Sequence, residues 1–222
     1  MLKYIHKIIF CDFCLIDTNF TMVGIQGLAL REDFLTREEE EELIKNIDDQ
    51  PWNTSLKRRT QHYGYMYDYT SKSVAKRTDP IPEWCDFVVE RLCTLGVLEQ
   101  KPNQMIINEY HPGQGIYPHV DDVNSFKNGI VSVSLGSSIV MDFIKNDNPR
   151  EKRMMTLTPR SALSMHDQAR YQWRHGITAR NKDGQIPRTR RVSLTFRTLV
   201  KKDEPEEVKR VKVTKCDEED RG

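Results

Sequence analysis

Two histidines and one aspartate have the residue types and the spacing of a metal site. His119 and Asp121 form a His-x-Asp pair, and His175 follows in a separate segment. Because side chains alternate along a strand with a period of two, the pair is predicted to point to one face of an extended segment. A second imidazole from a distant strand would place two nitrogens and one carboxylate on one side of a metal ion. This set leaves coordination positions open and is typical of non-haem Fe(II) oxygenases.

A second constellation lies in the run Arg191-Val-Ser-Leu-Thr-Phe-Arg197. Strand alternation puts every second side chain of this run on one face, namely Arg191, Ser193, Thr195 and Arg197. A buried guanidinium group there is suited to bind a carboxylate through two parallel hydrogen bonds. Together the two constellations predict iron with a dicarboxylate cosubstrate. Zinc accepts the same ligands, but it supplies no redox chemistry and leaves the arginines unexplained.

The elements that must position these residues are short strands in the second half of the chain. The predicted strands are Met105–Tyr110, Ile130–Leu135, Ile139–Ile144, Arg153–Leu157, Ala162–His166 and Arg190–Leu199. Strands at this spacing, with turn residues between them, suggest a sandwich or a jelly roll. Two helices precede them. A capping box at Thr36 and Glu39 opens the first, and the second is predicted to start at Pro80 and to end at Gly96.

The composition restricts the class of protein. The chain has 222 residues, enough for one domain with a substantial core, and its formal net charge is +1. A nucleic-acid partner would therefore need a local basic patch. Five cysteines, an odd number, argue against a disulfide framework and predict a reducing compartment, cytoplasmic or nuclear. No stretch approaches the roughly 20 apolar residues of a membrane span, so no membrane partner is expected.

The predicted domain covers residues 24–200. Residues 1–23 form an N-terminal extension of unassigned role, and the charged residues 201–222 are predicted to be a disordered tail. The extension contains Cys11-x-x-Cys14, which has no second cysteine pair at zinc spacing and is interpreted as ordinary thiols.

A basic and aromatic segment, residues 57–69, is the candidate substrate surface. Its named candidates are Lys57, Arg58, Arg59, His62, Tyr63 and Tyr65. Cations that meet phosphates, interleaved with aromatic faces that stack on bases, are what a single-stranded nucleic-acid groove requires. The alternative is a half-buried hairpin with its aromatic residues inside and its charges outside.

Five motifs in this order resemble the AlkB family of Fe(II)- and 2-oxoglutarate-dependent dioxygenases. They are Asn108-x-Tyr110, Gly113-x-Gly115, His119-x-Asp121, His175-Gly176 and Arg191-x-Ser-x-Thr-x-Arg197, and the likeness spans residues 25–199. The resemblance implies an α+β fold, a double-stranded β-helix (jelly roll) core with N-terminal helices packed on it. It also implies that His119, Asp121 and His175 are catalytic ligands of Fe(II).

The resemblance extends to the cosubstrate. Arg191 would pair with the distal carboxylate of 2-oxoglutarate, helped by the hydroxyl groups of Tyr110 and Ser193. Asn108 and Arg197 would line the part nearest the metal. An ion pair between Arg197 and Asp121 is a structural alternative for Arg197, and both roles are compatible.

Within the family the likeness is greatest to the AlkB homologue 8 group, which acts on modified wobble uridine in tRNA. It rests on segments 50–65, 132–137, 139–143 and 170–176. This likeness implies RNA as the partner, read as a single strand or a flipped base and covered by an N-terminal lid. One position departs from the founding repair members, because Val123 stands where they carry an acidic residue that meets the base. Repair of alkylated DNA bases is therefore disfavoured.

The predicted function is the hydroxylation or oxidative demethylation of a modified nucleotide by a monomer, with a tRNA methyltransferase as a possible partner. Two alternatives remain open. One is a dioxygenase that acts on a protein or lipid, which predicts no RNA binding. The other is a non-catalytic binding module, which has no need of an intact metal triad.

Overall fold

The structure is a computed structural model that describes residues 20–68, 73–98 and 100–200. Cys11, Cys14 and the tail 201–222 lie outside these residues. The strands are β1 Thr21–Met22, β2 Leu28–Arg31, β3 Thr60–Tyr63, β4 Tyr65–Asp68, β5 Ser73–Arg77, β6 Gln104–Tyr110, β7 Ile116–His119, β8 Ile130–Gly136, β9 Ile139–Lys145, β10 Lys152–Leu157, β11 Ala162–Met165, β12 Trp173–Ile177, β13 Lys182–Asp183, β14 Ile186–Pro187 and β15 Arg191–Arg197. The helices are α1 Arg37–Asp48, α2 Asp86–Thr94 and α3 Asp167–Tyr171, and a 3-10 turn covers Glu83–Cys85.

Two antiparallel sheets form the core of the fold. The larger sheet has seven strands in the order β1-β2-β11-β8-β15-β6-β3, and the smaller has four in the order β10-β9-β12-β7. One cluster of buried side chains joins them, with Ile130 and Leu163 from the larger sheet and Met141 and Phe143 from the smaller. The predicted jelly roll is therefore confirmed. The strand β1 was assigned from sequence to the N-terminal extension, and it pairs with β2 at the edge of the larger sheet.

The helices α1 and α2 cover the other face of the larger sheet. A second buried cluster contains Leu43 and Ile47 of α1, Val88 of α2, and Leu194 and Phe196 of β15. Strand alternation thus sends the apolar residues of β15 toward the helices, which leaves its polar residues facing the smaller sheet. Fully burying side chains such as Leu43 and Ile47 contributes about 1.5–3 kcal/mol each.

The two helices begin differently from each other. The capping box of α1 forms as predicted: Oγ1 of Thr36 accepts from the backbone N–H of Glu39 at 3.2 Å, and the Glu39 carboxylate accepts from that of Thr36 at 2.9 Å. The second helix was predicted to begin at Pro80, but helical backbone starts only at Glu83 and becomes α-helical at Asp86. Prolines disfavour helical geometry at the residue before them, so the Pro-Ile-Pro run stays extended. None of the described helices is long and apolar enough to cross a membrane.

Candidate active site

The three predicted metal ligands lie together on neighbouring strands. His119 at the end of β7 is the direct cross-strand partner of His175 in β12, and their ring centroids are 4.5 Å apart. Asp121 follows β7 by two residues, and the ligand atoms of all three side chains lie within 4.8 Å of one another. The loop that leads into β7 is held close to the end of β12: a Cβ atom on Gly115 would lie 2.2 Å from the carbonyl oxygen of Ile177. Only glycine fits there.

The hydrogen bonds and the charges at the three side chains suit a divalent cation. Nδ1 of His119 lies 2.8 Å from the carbonyl oxygen of Tyr117, which only accepts, so Nδ1 is the donor and Nε2 is the nitrogen left for a metal. Burial, and next the charge of His119, lower the pKa of His175 to about 3, so its imidazole is neutral at pH 7. Burial alone would raise the pKa of Asp121, but Arg197 and the two histidines hold it well below its usual range. Metal ligands need these deprotonated forms.

Asp121 has one oxygen atom that the protein leaves without a hydrogen bond. Nη2 of Arg197 donates to Oδ1 at 3.2 Å, whereas the buried Oδ2 accepts no hydrogen bond, although Nε of Arg197 lies 3.2 Å from it. Buried carboxylate oxygens normally have partners. A metal ion held between Asp121 and the two imidazoles would supply one, so the residues fit Fe(II). The ion pair predicted between Arg197 and Asp121 is present and orients this ligand.

Arg191 offers a second binding group on the same face of β15. Its side chain is fully buried, Nη2 donates to Oγ of Ser134 at 2.8 Å, and its guanidinium carbon lies 5.5 Å from the ring centroid of Tyr110. Its Nε has no hydrogen-bond partner, and Arg191 forms no ion pair with the described residues. Burial lowers the pKa of Arg191 to about 10, so the group is still charged at pH 7. A buried, unpaired guanidinium group fits a carboxylate ligand.

The remaining predicted cosubstrate residues share this side of the larger sheet. Asn108 is buried in β6, and Ser193 lies between Asn108 and Ser134 in register. The hydroxyl group that contacts Arg191 belongs to Ser134, a residue that was not predicted from sequence. Ser193 was predicted to help bind the carboxylate of 2-oxoglutarate, and this role stays a prediction. The side-chain carbonyl of Asn108 accepts from Nε of Arg58 at 3.0 Å, which connects the predicted substrate segment to the predicted cosubstrate site.

The structure places only some of the six predicted substrate residues on the side of the sheet that faces the candidate site. Arg58 contacts Asn108, and His62 lies on the same side of β3, close enough to Arg197 and Arg58 to respond to both charges. Lys57 is exposed and Tyr65 is half-buried. Tyr63 is not brought to this side, because alternation in β3 turns it toward the helices, where its ring meets Trp84 edge-on at 6.4 Å.

Arg59 is also held away from the metal side of the sheet. It donates to the fully buried carboxylate of Glu109 at 2.8 Å, and its guanidinium carbon lies 4.7 Å from the ring centroid of Trp52. Glu109 alternates with Asn108 in β6 and therefore points to the opposite face. The segment thus combines the two readings of its sequence, with Arg58 and His62 toward the candidate site and Tyr63 in a hairpin-like core position.

Arg170 is a buried residue that the sequence did not single out. Its guanidinium group donates to the backbone carbonyls of Asp121, Asp122 and Phe126 at 2.7, 3.2 and 3.2 Å. These contacts fix the turn that carries the metal carboxylate. Ser134 was missed as well, although its place in the alternating run from Ser132 was a usable signal. For Arg170 no local sequence pattern predicts this role, because its hydrogen-bond partners lie more than forty residues away in the chain.

A jelly roll with a two-histidine, one-carboxylate site and a buried arginine defines the class of 2-oxo-acid-dependent iron oxygenases. Residues 30–197 match the family model of the 2OG-Fe(II) oxygenase superfamily. The chain belongs to this superfamily, and its relatives place it among the AlkB homologues. It is a dioxygenase that uses Fe(II) and 2-oxoglutarate, as predicted.

Three comparisons describe these relatives. A protein of Acanthamoeba polyphaga mimivirus named uncharacterized protein L905 is 35% identical over 80% of this chain and 87% of its own length. The mouse protein named tRNA (carboxymethyluridine(34)-5-O)-methyltransferase ALKBH8 is 39% identical over 71% of this chain, which spans only 25% of the mouse protein. The solved structure of OsALKBH1 superimposes with a TM-score of 0.66 over 81% of this chain and 99% of that one, at 18% identity, and supports the fold.

Proposed function

We propose that this dioxygenase hydroxylates or oxidatively demethylates a modified nucleotide in RNA, with a wobble uridine of tRNA as the first candidate. The observation that carries the proposal is the contact between Arg58 and Asn108, which joins a basic segment to the cosubstrate side of the sheet. The name of the mouse relative, which specifies carboxymethyluridine at position 34 of tRNA, supports the choice of nucleotide.

In this proposal His119, Asp121 and His175 hold Fe(II). Arg191, with Tyr110 and Ser193 and with Ser134 as its hydroxyl contact, binds the distal carboxylate of 2-oxoglutarate, and Asn108 and Arg197 line the part nearest the metal. Iron and 2-oxoglutarate, once bound, would activate dioxygen, which is the oxidant: one oxygen atom would go to a substrate carbon and the other to succinate, formed as 2-oxoglutarate loses carbon dioxide.

Residues of the protein hold the metal ligands in position. The carbonyl of Tyr117 fixes the ring of His119, and Arg197 fixes the carboxylate of Asp121. Ligands held in this way need no reorganisation when the metal binds. When the hydroxylated carbon is a methyl group on nitrogen, the C–N bond breaks, the carbon leaves as formaldehyde and the hydroxyl proton passes to the nitrogen, which amounts to demethylation. A hydroxyl group on an ordinary carbon is retained.

The substrate side is assigned to Lys57, Arg58, His62 and Tyr65. Lys57 is exposed and forms no ion pair with the described residues, so its charge is available to a phosphate. Arg59 and Tyr63, whose side chains serve the fold, are left out of this set.

We further propose that the chain acts as a monomer and that a tRNA methyltransferase is its partner. The vertebrate relatives named methyltransferases are about four times as long as the segment they share with this chain, since that segment is 25–26% of their length. Co-purification of a tRNA methyltransferase with the tagged chain, and the mass of the chain in solution, test the two statements separately.

The experiment for the proposed function is incubation with tRNA, Fe(II), 2-oxoglutarate and oxygen, followed by mass analysis of the nucleosides. Gain of one oxygen atom on a modified uridine, or loss of a methyl group, is expected with the wild type and not with the His119→Ala, Asp121→Ala variant. Unchanged nucleosides in every tRNA fraction, together with oxidation of a protein or lipid, would refute an RNA substrate.

A further inference from the structure

One imidazole on the metal side of the larger sheet, that of His62, belongs neither to the metal ligands nor to the residues assigned to 2-oxoglutarate. His62 lies in β3 between Gln61 and Tyr63, whose side chains turn toward the helices. Its own side chain is half-buried, and its Nδ1 is buried without a hydrogen-bond partner. A buried polar atom without a partner carries an uncompensated cost of desolvation. It therefore marks a position where an atom of a ligand would complete a hydrogen bond.

The surroundings of His62 define the charge of that ligand. Burial, and then the positive charges of Arg197 and Arg58, lower the pKa of His62 to about 4, so the ring is neutral at pH 7. A cationic ligand at the same place would meet the same two guanidinium groups. Arg58 is fixed there by its hydrogen bond to Asn108. A neutral or negatively charged group is accepted by this environment, and a cation is not.

We propose that His62 and Arg58 form a specificity subsite that accepts the edge of a neutral or anionic pyrimidine and rejects a cationic, ring-methylated base. The inference rests on the proposed function, since it concerns the nucleotide bound beside the metal. A neutral imidazole offers one donor and one acceptor to the polar edge of the base. The guanidinium group of Arg58 matches a carboxylate substituent on the pyrimidine ring.

The test uses three single-stranded RNA oligonucleotides that differ at one position, which is 5-carboxymethyluridine, uridine or 1-methyladenosine, the last being cationic. Binding is measured with the full chain loaded with Mn(II) and 2-oxoglutarate, so that no turnover occurs. The wild type is expected to bind the carboxymethyluridine oligonucleotide about tenfold more tightly than the 1-methyladenosine one, as one lost hydrogen bond to a buried partner predicts.

His62→Ala should remove this preference and leave the affinity for 1-methyladenosine unchanged. His62→Gln keeps a donor and an acceptor, so it should retain most of the preference even if the alanine variant is unstable. His111→Gln is the matched control, because His111 is largely exposed and pairs with Glu109 on the opposite side of β6.

Three outcomes separate the possibilities. Wild-type affinities for all three oligonucleotides in His62→Ala would overturn the subsite. A separate sample of the same variant is loaded with Fe(II) and 2-oxoglutarate without oxygen, a complex that has a weak visible absorption band. Loss of that band would show loss of 2-oxoglutarate binding, would assign His62 to the cosubstrate, and would overturn the subsite as well. Failure of the wild type to bind any of the oligonucleotides, with that band intact, would refute the proposed RNA function itself.

Discussion

Arg191 makes the most specific demand on a ligand of any single residue in the site. A fully buried guanidinium group whose hydrogen bonds include the hydroxyl of Ser134 but no carboxylate is costly, and a bound carboxylate offsets that cost. The same strand carries Arg197, which is already paired with Asp121. The two arginines therefore have different roles, although both face the smaller sheet.

Arg191→Met tests this assignment. Removing the charge while keeping the volume should weaken binding of 2-oxoglutarate by about 3 kcal/mol, roughly a hundredfold in Kd, with iron binding retained. Titration of the Fe(II)-loaded protein with 2-oxoglutarate measures this. Arg190→Lys, the adjacent arginine paired with Asp48 and Glu109, should leave the Kd unchanged. An unchanged Kd in Arg191→Met would place the carboxylate elsewhere.

Alternation within strands made these residues predictable from sequence. Side chains alternate along a strand with a period of two residues, which places Arg191 and Arg197 on the same face of β15. The same alternation brings His119 close to Asp121. Ser134 and Arg170 were not identified, because their contacts depend on which strands and turns become neighbours. Tyr63 was misplaced for a related reason. Gly64, with φ of +77°, ends β3 directly after Tyr63, and the aromatic run continues in β4, which pairs with β5 in a separate two-stranded sheet. The alternation of side chains between the two faces therefore cannot be followed along the whole run.

At the scale of elements, the turn after β7 is held by Asp122, which accepts from Asn124, Ser125 and Phe126, and also by a side chain of α3. Arg170 donates three hydrogen bonds to backbone carbonyls of residues 121–126, and so attaches this turn to the rest of the domain. This contact connects the short helix before β12, the strand of His175, to the segment that carries Asp121. Arg170 therefore links the two segments that carry the metal ligands.

Arg170→Met should weaken both the fold and the metal site. We expect a loss of about 2 kcal/mol in the free energy of unfolding, since several buried carbonyls lose a charged donor. Fe(II) affinity should fall about tenfold, as for other residues that orient a ligand. Thermal unfolding and a metal titration measure the two effects, with the exposed Arg150→Met as control. Stability loss with unaltered Fe(II) affinity would contradict the positioning role.

Glu109 connects β6 to the segment before β3 and to the turn before β15. Burial would raise its pKa, but Arg59 and Arg190 lower it to about 2, below the ordinary value of 4.5. A lowered pKa in the folded state contributes stability above the unfolded pKa, and this stability is lost as the pH falls through the folded value. The contribution should thus be complete above pH 4.5 and disappear toward pH 2.

Glu109→Gln should lower the free energy of unfolding by about 3 kcal/mol at pH 7, because two arginines lose a buried partner. Denaturant unfolding at a series of pH values checks both parts. The difference between wild type and variant should shrink as the pH falls from 4.5 to 2, and a constant difference would show that the carboxylate charge is not responsible.

The fold and the charge distribution of the whole molecule limit how it can hold RNA. With a formal net charge of +1, the chain has no strong overall attraction for a polyanion. Binding must therefore depend on a few cations near the site, of which Lys57 is exposed and Arg58 reaches the cosubstrate strand. Few phosphate contacts imply a shallow dependence of affinity on salt.

Lys57→Ala should reduce the slope of log affinity against log salt concentration by about 0.7, the value for one phosphate contact to a single strand. Fluorescence anisotropy with an RNA oligonucleotide at several salt concentrations measures it. Lys127→Ala, which changes an exposed lysine in the loop between β7 and β8, serves as the comparison and should keep the wild-type slope. Equal slopes for all three proteins would remove Lys57 from the RNA surface.

The most direct measurement of the central claim is anaerobic reconstitution with Fe(II) and 2-oxoglutarate, followed by visible absorption. The wild type should show the weak metal-to-ligand charge-transfer band of an iron–2-oxo-acid complex, and the His119→Ala, Asp121→Ala variant should lack it, because its two ligands are gone. No band in folded, iron-loaded wild type, or an equal band in the variant, would contradict the assignment of His119, Asp121 and His175 as the iron site.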